Sequence, residues 1–281
     1  MRIADGALGD DILEAHLSRL AWEGPLEALT LTRNAQPALL VHSVAVHRVL
    51  GDELGPVTVA AGHSLGEFSA HVVAGTLSFR DALEAVRLRG ELMFASGVER
   101  PGTMAAVLGL GDAAVEKVCR TVNDGGKICV PANFNSQGQV VISGEVDGVE
   151  EAMRLAKEAG AKRVLPLTVS GAFHSPLMEP ARSGLRDRLE EIKFSDPRFP
   201  VVSNVSAELV GDGRQARELL VEQLTSPVRW AASVKTMVEA GVERFYELGA
   251  GSVLCGLNKR NAKGLPCVSL GQPSDFDSIG P

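Results

Sequence analysis

The chain has 281 residues, 45% of them hydrophobic and 4% aromatic, with 28 basic against 35 acidic side chains and a net charge of −7. That apolar content suits one large α/β domain, or a main domain with a smaller one. A mildly acidic surface with few aromatics argues against general nucleic-acid binding and offers no base-stacking platform. Cys119, Cys129, Cys255 and Cys267 form no C-x-x-C pair and no zinc-ligand spacing, so they read as reduced, mostly buried thiols of a cytoplasmic protein. The opening MRIADGALGD has neither a basic n-region nor an apolar h-region, and no apolar run approaches membrane-spanning length. No membrane partner is expected.

Residues 35–50 carry apolar positions at helical spacing. The run VTVAA (57–61), bounded by Pro56 and Gly62, reads as a buried parallel strand. A helix follows Ser64 to about Gly75, and a second opens at Ser78, with Asp81 in a capping-box arrangement. The texture changes near a Pro-Gly turn at 101–102. From about residue 99 to 167 the order is strand, helix, strand, tight turn, strand, helix, strand, the split βαβ pattern of a ferredoxin-like inserted domain. The large domain, 1–98 and 168–281, resumes with a helix from Ser175, the strand PVVSN, two helices to about Gly241, the strand RFYELG and the helical VLCGLNKR. Strands alternating with helices imply a mostly parallel sheet covered on both faces, so the fold class is α/β. The last stretch, GQPSDFDSIGP, reads as a loose tail.

AAGHSLGEFSA (60–70) places Ser64 between two glycines where a strand turns into a helix. In such a nucleophile elbow the serine is strained, its hydroxyl projects from the sheet, and flanking glycines let backbone pass closely. The next N–H, on Leu65, points where an oxyanion forms, helped by the positive end of the helix. The alternative is a small residue in a tight turn. A serine nucleophile needs a base. His16 reads as part of a polar helix, His42 and His47 as surface or packing residues, His63 as pointing away from the serine, and His71 as buried under the helix. His174, in VSGAFHSPLM between a strand end and a helix start, is the best base, the alternative being a packing role. Arg87 and Arg89 are two apart and point in different directions, which leaves two readings, one solvated and one inward arginine, or two snorkelling surface arginines. An inward arginine near the serine binds a carboxylate bidentately.

GHSLGE (62–67), RG (89–90), NFNSQGQVVISG (133–144), GAFHSP (171–176) and SPVRW (226–230) occur together, in order. In these the chain resembles malonyl-CoA:acyl-carrier-protein transacylases and the acyltransferase domains of polyketide synthases, over about residues 30–270. The resemblance implies an α/β-hydrolase-like large domain with a parallel sheet and a ferredoxin-like insert. It implies that Ser64 takes malonyl from malonyl-CoA as an ester and that His174 accepts the serine proton and later activates the carrier's phosphopantetheine thiol. It also implies that Arg89 clamps the malonyl carboxylate. Gln223 holds the position whose backbone carbonyl orients the histidine in that family. Phe173 matches a malonyl-type pattern that disfavours an α-methyl branch. Asn133 and Asn135 match cleft-lining positions, and Lys162 and Arg163 match a basic pair suited to CoA phosphates or an acidic carrier protein. The substrates are then malonyl-CoA and acyl carrier protein, in fatty-acid or polyketide synthesis. No metal and no cofactor beyond the CoA and phosphopantetheine of the substrates is called for, and a monomer is expected.

One departure stands out. The family begins with a strand and a GQGSQ turn whose first glutamine donates to the oxyanion. This chain looks short by that segment, which reads as truncation or a misplaced start, the alternative being that another residue fills the gap. Two rivals remain at this stage. An α/β-hydrolase esterase or thioesterase shares the elbow, but places its acid before a late histidine and has no use for Arg89. A non-catalytic carrier-binding protein derived from an acyltransferase is the other. The glycine-rich ELGAGSVLCG (247–256) lacks dinucleotide spacing and reads as a loop beside the active site.

Overall fold

The computed structural model describes residues 2–51 and 53–279. In chain order the elements are α1 (Arg2–Leu13), α2 (Leu17–Glu23), α3 (Leu26–Leu29), α4 (Thr32–Leu50), β1 (Ala60–Ala61), α5 (Leu65–Ala74) and α6 (Phe79–Glu99). Next come β2 (Gly102–Leu108), α7 (Asp112–Asp124), β3 (Cys129–Ser136), β4 (Gln139–Glu145), α8 (Val146–Glu158), β5 (Arg163–Pro166) and α9 (Glu179–Glu191). The chain closes with β6 (Val201–Val202), β7 (Leu209–Val210), α10 (Gly213–Glu222), α11 (Trp230–Glu239), β8 (Phe245–Leu248), α12 (Val253–Asn261) and β9 (Cys267–Leu270). This is an α/β fold. Among the described residues no helix is long and apolar enough to cross a membrane.

Residues 102–166 form an antiparallel sheet in the order β3-β4-β2-β5. The inward face of the sheet and the apolar stripes of α7 and α8 close a core around Val107, Val115, Cys119, Ile142 and Val149. The largest core lies elsewhere, where α4, α5, α6, α9 and α10 bury Leu40, Phe68, Leu83, Val86, Leu185 and Leu220. Helix ends follow local chemistry. Ser78 caps α6, its hydroxyl accepting the Asp81 N–H at 3.0 Å and donating to the Asp81 carboxylate at 2.6 Å. Pro37 lies inside α4 and removes the N–H that would reach the Arg33 carbonyl. The Arg87 guanidinium donates to that carbonyl instead, at 3.1 Å.

Several expectations change. The large-domain strands do not join in one sheet. β1 pairs parallel with β6 over two residues, β6 pairs antiparallel with β7, and β8 pairs parallel with β9. No described strand lies between β1 and β8 to join these ladders, so the predicted strand at 57–61 is paired only at Ala60–Ala61. β9 is an element the sequence reading lacks. It brings Cys267 to Cys255 of α12, Cα–Cα 5.3 Å, and the two form a disulfide. The reading of all four cysteines as reduced thiols is therefore corrected. Cys119 and Cys129 stay free and buried. His16 stands at the N-cap position of α2, without a side-chain capping hydrogen bond, rather than lying within a helix. The tail is a 3-10 turn at Pro273–Ser278, held by Asp275 accepting from the Gly271 and Gln272 N–H groups at 2.9 and 3.0 Å. Gly280 and Pro281 lie outside the described residues.

Candidate active site

Ser64 stands between β1 and α5 with φ 51° and ψ −108°, the strained conformation of an elbow. A Cβ on Gly62 would lie 1.9 Å from the Gly66 carbonyl carbon, so only glycine fits there. Asn204, just past β6, clamps the turn from both sides. Its Oδ1 accepts the Ser64 N–H at 2.6 Å and its Nδ2 donates to the Gly62 carbonyl at 2.7 Å.

His174 meets Ser64 from the loop before α9. Its own φ is 57°, a second strained residue facing the first. The Ser175 hydroxyl ties this loop by donating to the Ala172 carbonyl at 2.6 Å. His174 Nδ1 lies 2.9 Å from the Gln223 carbonyl oxygen, which only accepts, so Nδ1 carries the proton. Nε2 therefore presents its lone pair to Ser64 Oγ at 2.9 Å and accepts from it. Burial chiefly, and then the positive charge of Arg89, push the His174 pKa down to about 3, so the imidazole is neutral at pH 7.

Arg89 comes from α6. A Cβ on Gly90 would lie 2.7 Å from the Arg33 Cα, so the glycine lets α6 press against α4 and carries Arg89 inward. Arg89 is 1% exposed. Its Nη2 donates to Ser64 Oγ at 3.0 Å and to Gln223 Oε1 at 2.9 Å, and Nη1 donates to Gln36 Oε1. Nε is buried without a partner among the described residues. Desolvation lowers the Arg89 pKa to about 10, so it stays cationic. Arg87 is the outward member of the pair, bonded to Glu91 at 2.6 Å.

Gln223 is the hub. Besides its carbonyl and Oε1, its Nε2 donates to the Ser64 carbonyl at 3.0 Å and to Glu67 Oε2 at 2.6 Å. Glu67 is 1% exposed, and desolvation pushes its pKa up to about 7. Sequence reasoning missed Gln36, Glu67 and Asn204. The one signal for them was position, since Glu67 ends GHSLGE and Asn204 ends the predicted strand PVVSN.

The remaining candidates are more dispersed. Leu65 opens α5, and the helix does not engage the amide of its first residue. Phe173 is half-buried and packs against two apolar clusters. Asn133 is buried and bridges in parallel to Val228. Asn135 Oδ1 accepts from His63 Nε2 at 2.8 Å, tying β3 to the elbow. Lys162 and Arg163 are exposed at and before β5, the sheet edge opposite β3, and are not brought to the Ser64 cluster. A cavity of about 290 Å³ opens on His174, bordered by Arg120, Phe134, Thr225 and Arg229. Among the described residues, no group of three or more His, Cys, Asp or Glu is arranged to hold a metal ion.

Residues 11–272 match the acyl transferase domain family. The chain belongs to the acyl transferase domain family. It is 46% identical over 268 residues to the malonyl CoA-acyl carrier protein transacylase of Bacillus subtilis (strain 168), covering 95% of this chain and 84% of the relative. The Escherichia coli (strain K12) protein of the same name is 45% identical over 272 residues, covering 96% and 86%. Among solved acyl transferases, a type II PKS malonyl-transacylase in complex with its acyl-carrier protein (PlMCAT:AntF) superposes with a TM-score of 0.95 at 42% identity, covering 99% of this chain and 90% of that one. The acyl carrier protein S-malonyltransferase of Vibrio cholerae gives 0.94 at 43% identity, covering 99% and 91%.

Proposed function

We infer that the chain is a malonyl-CoA:acyl-carrier-protein transacylase, working by ping-pong transfer through a malonyl ester on Ser64. One observation carries this reading. Ser64 Oγ lies between a neutral histidine nitrogen at 2.9 Å and a buried guanidinium at 3.0 Å. The histidine suits any acyl transfer. The buried cation, with an unengaged Nε–H beside an Nη2 that already faces Ser64, suits an acyl group with a free carboxylate.

The steps follow. His174 Nε2 takes the Ser64 proton as Oγ attacks the thioester carbonyl. The Leu65 N–H and the N-terminus of α5 stabilise the oxyanion. When the C–S bond breaks, His174 returns the proton to the CoA sulfur, leaving malonyl-Ser64. The carrier's phosphopantetheine thiol then gives its proton to His174, attacks the ester and carries malonyl away, and Ser64 recovers its hydrogen. Arg89 exchanges its Ser64 contact for the malonyl carboxylate, while Gln223 keeps the imidazole oriented. No resident cofactor enters these steps.

Phe173 crowds the acyl pocket, and Asn133 and Asn135 line the cleft. Lys162 and Arg163 contribute by steering acidic partners at a distance. We read the architecture as an α/β-hydrolase-like domain (1–98 and 168–281) with a ferredoxin-like insert (99–167), acting as a cytoplasmic monomer. An esterase reading is weaker, because the partner of His174 is a main-chain carbonyl and Arg89 has no task on a neutral ester.

Intact-protein mass spectrometry after brief exposure to malonyl-CoA tests this. The expected result is one malonyl adduct on the native chain and none on Ser64→Ala. No adduct on a folded native chain would sink the reading.

A further inference from the structure

Arg89 is held without being neutralised. Among the described residues its hydrogen-bond acceptors are Gln36 Oε1, Gln223 Oε1 and Ser64 Oγ, all uncharged. A carboxylate in direct contact would compete with the substrate's own. Two amide oxygens locate the cation and leave its charge available. That arrangement works only if both amides present oxygen, and a side-chain amide is free to turn over unless its nitrogen is engaged.

In Gln36 the nitrogen is occupied by the Thr32 hydroxyl at 2.8 Å and the Met93 sulfur at 3.3 Å. In Gln223 it is occupied by the Ser64 carbonyl at 3.0 Å and by Glu67 at 2.6 Å. The same Glu67 oxygen accepts the Asn204 N–H at 3.2 Å, so the carboxylate is fixed as well. Turning the Gln223 amide over would set its N–H groups against the guanidinium and its oxygen against the Glu67 oxygen that already accepts the Asn204 N–H, two repulsive contacts at once.

We propose that Glu67 is a positioning residue: its carboxylate fixes which way the Gln223 amide faces, and that amide aims Arg89 at the carboxylate of the acyl group. This rests on the reading of Arg89 as the carboxylate clamp. Glu67 touches no reacting atom itself, and its effect is on which acyl group is accepted.

The test follows acylation of Ser64 by malonyl-CoA and, separately, by acetyl-CoA, using intact mass. It compares the native chain with Glu67→Leu, Glu67→Gln and Arg89→Ala. In Glu67→Leu the malonyl-to-acetyl rate ratio should fall fivefold or more. Glu67→Gln, whose amide oxygen still accepts from Gln223, should recover most of it. A smaller fall in Glu67→Leu, with both donors slowed alike, overturns the proposal, as does a Gln variant no better than Leu. If Arg89→Ala leaves the ratio unchanged, the clamp reading itself has failed; if Arg89→Ala shifts it and Glu67→Leu does not, only the role of Glu67 has. Should thermal unfolding show that Glu67→Leu does not fold, Gln223→Met replaces it. It keeps the carbonyl facing His174 and removes the amide through which Glu67 acts, so an unchanged ratio overturns the proposal, and a fall there that Glu67→Gln does not show supports it.

Discussion

Ser64 Oγ has a base on one side and a cation on the other, and the two oppose each other electrostatically. Desolvation contributes most to the low pKa of His174, and Arg89 comes second. Removing the guanidinium makes the imidazolium less unfavourable, so the pKa of His174 rises. The acid limb of the acylation profile of Arg89→Ala should therefore lie at higher pH than that of the native chain. Acetyl-CoA is the donor to use, because it has no distal carboxylate for Arg89 to bind. A limb at the same pH would show that the charge of Arg89 does not reach the imidazole. At this scale Ser64, His174 and Arg89 were legible because serine, histidine and an inward arginine have few other uses at a strand-to-helix turn, before a helix, and on an apolar helix face. Gln36 and Asn204 were not, because a buried amide looks like any polar residue until its partners are known.

Elements carry the geometry that single residues exploit. The sequence marks Gly62 and Gly66 alike, one on each side of Ser64. The structure separates them. A Cβ on Gly62 would overlap the Gly66 backbone at 1.9 and 2.0 Å, whereas a Cβ on Gly66 would meet nothing within 4 Å. Gly62→Ala must push β1 and α5 apart, and should cost several kcal/mol or prevent folding. Gly66→Ala lies in the first turn of α5 and should leave stability within about 1 kcal/mol of the native chain. Urea unfolding of both variants checks this, and equal losses would mean that the elbow is less tightly closed than the Gly62–Gly66 approach implies. The antiparallel sheet of 102–166 was legible because its strands are long, consecutive and separated by recognisable turns. The ladders of the large part were not. β1, β6 and β7 are two residues each, and no local pattern tells which distant pair of residues will meet.

At the scale of the whole molecule, the site is assembled from segments far apart in sequence, and what they bury sets the pH response. His71 and His174 are buried and His63 is half-buried, and desolvation lowers each of their pKa values, to about 4 for His71 and about 3 for His174. Below pH 6.5 the unfolded chain takes up protons at these histidines that the folded chain refuses, so stability is lost as the pH falls towards 4. Glu67 works in the opposite sense. With its pKa raised to about 7, the folded chain binds a proton there between pH 4.5 and 7 that the unfolded chain has released, so its contribution is lost as the pH rises through 7. Three histidines outweigh one glutamate, and thermal unfolding should give a lower Tm at pH 5 than at pH 7.5. Glu67→Gln removes only the opposing term. The variant should gain on the native chain by up to about 3 kcal/mol between pH 5 and pH 8, since each pKa unit is worth about 1.4 kcal/mol. Parallel stability curves for the two proteins across that range would mean that Glu67 does not titrate there, and that the carboxylate is better compensated than its burial implies.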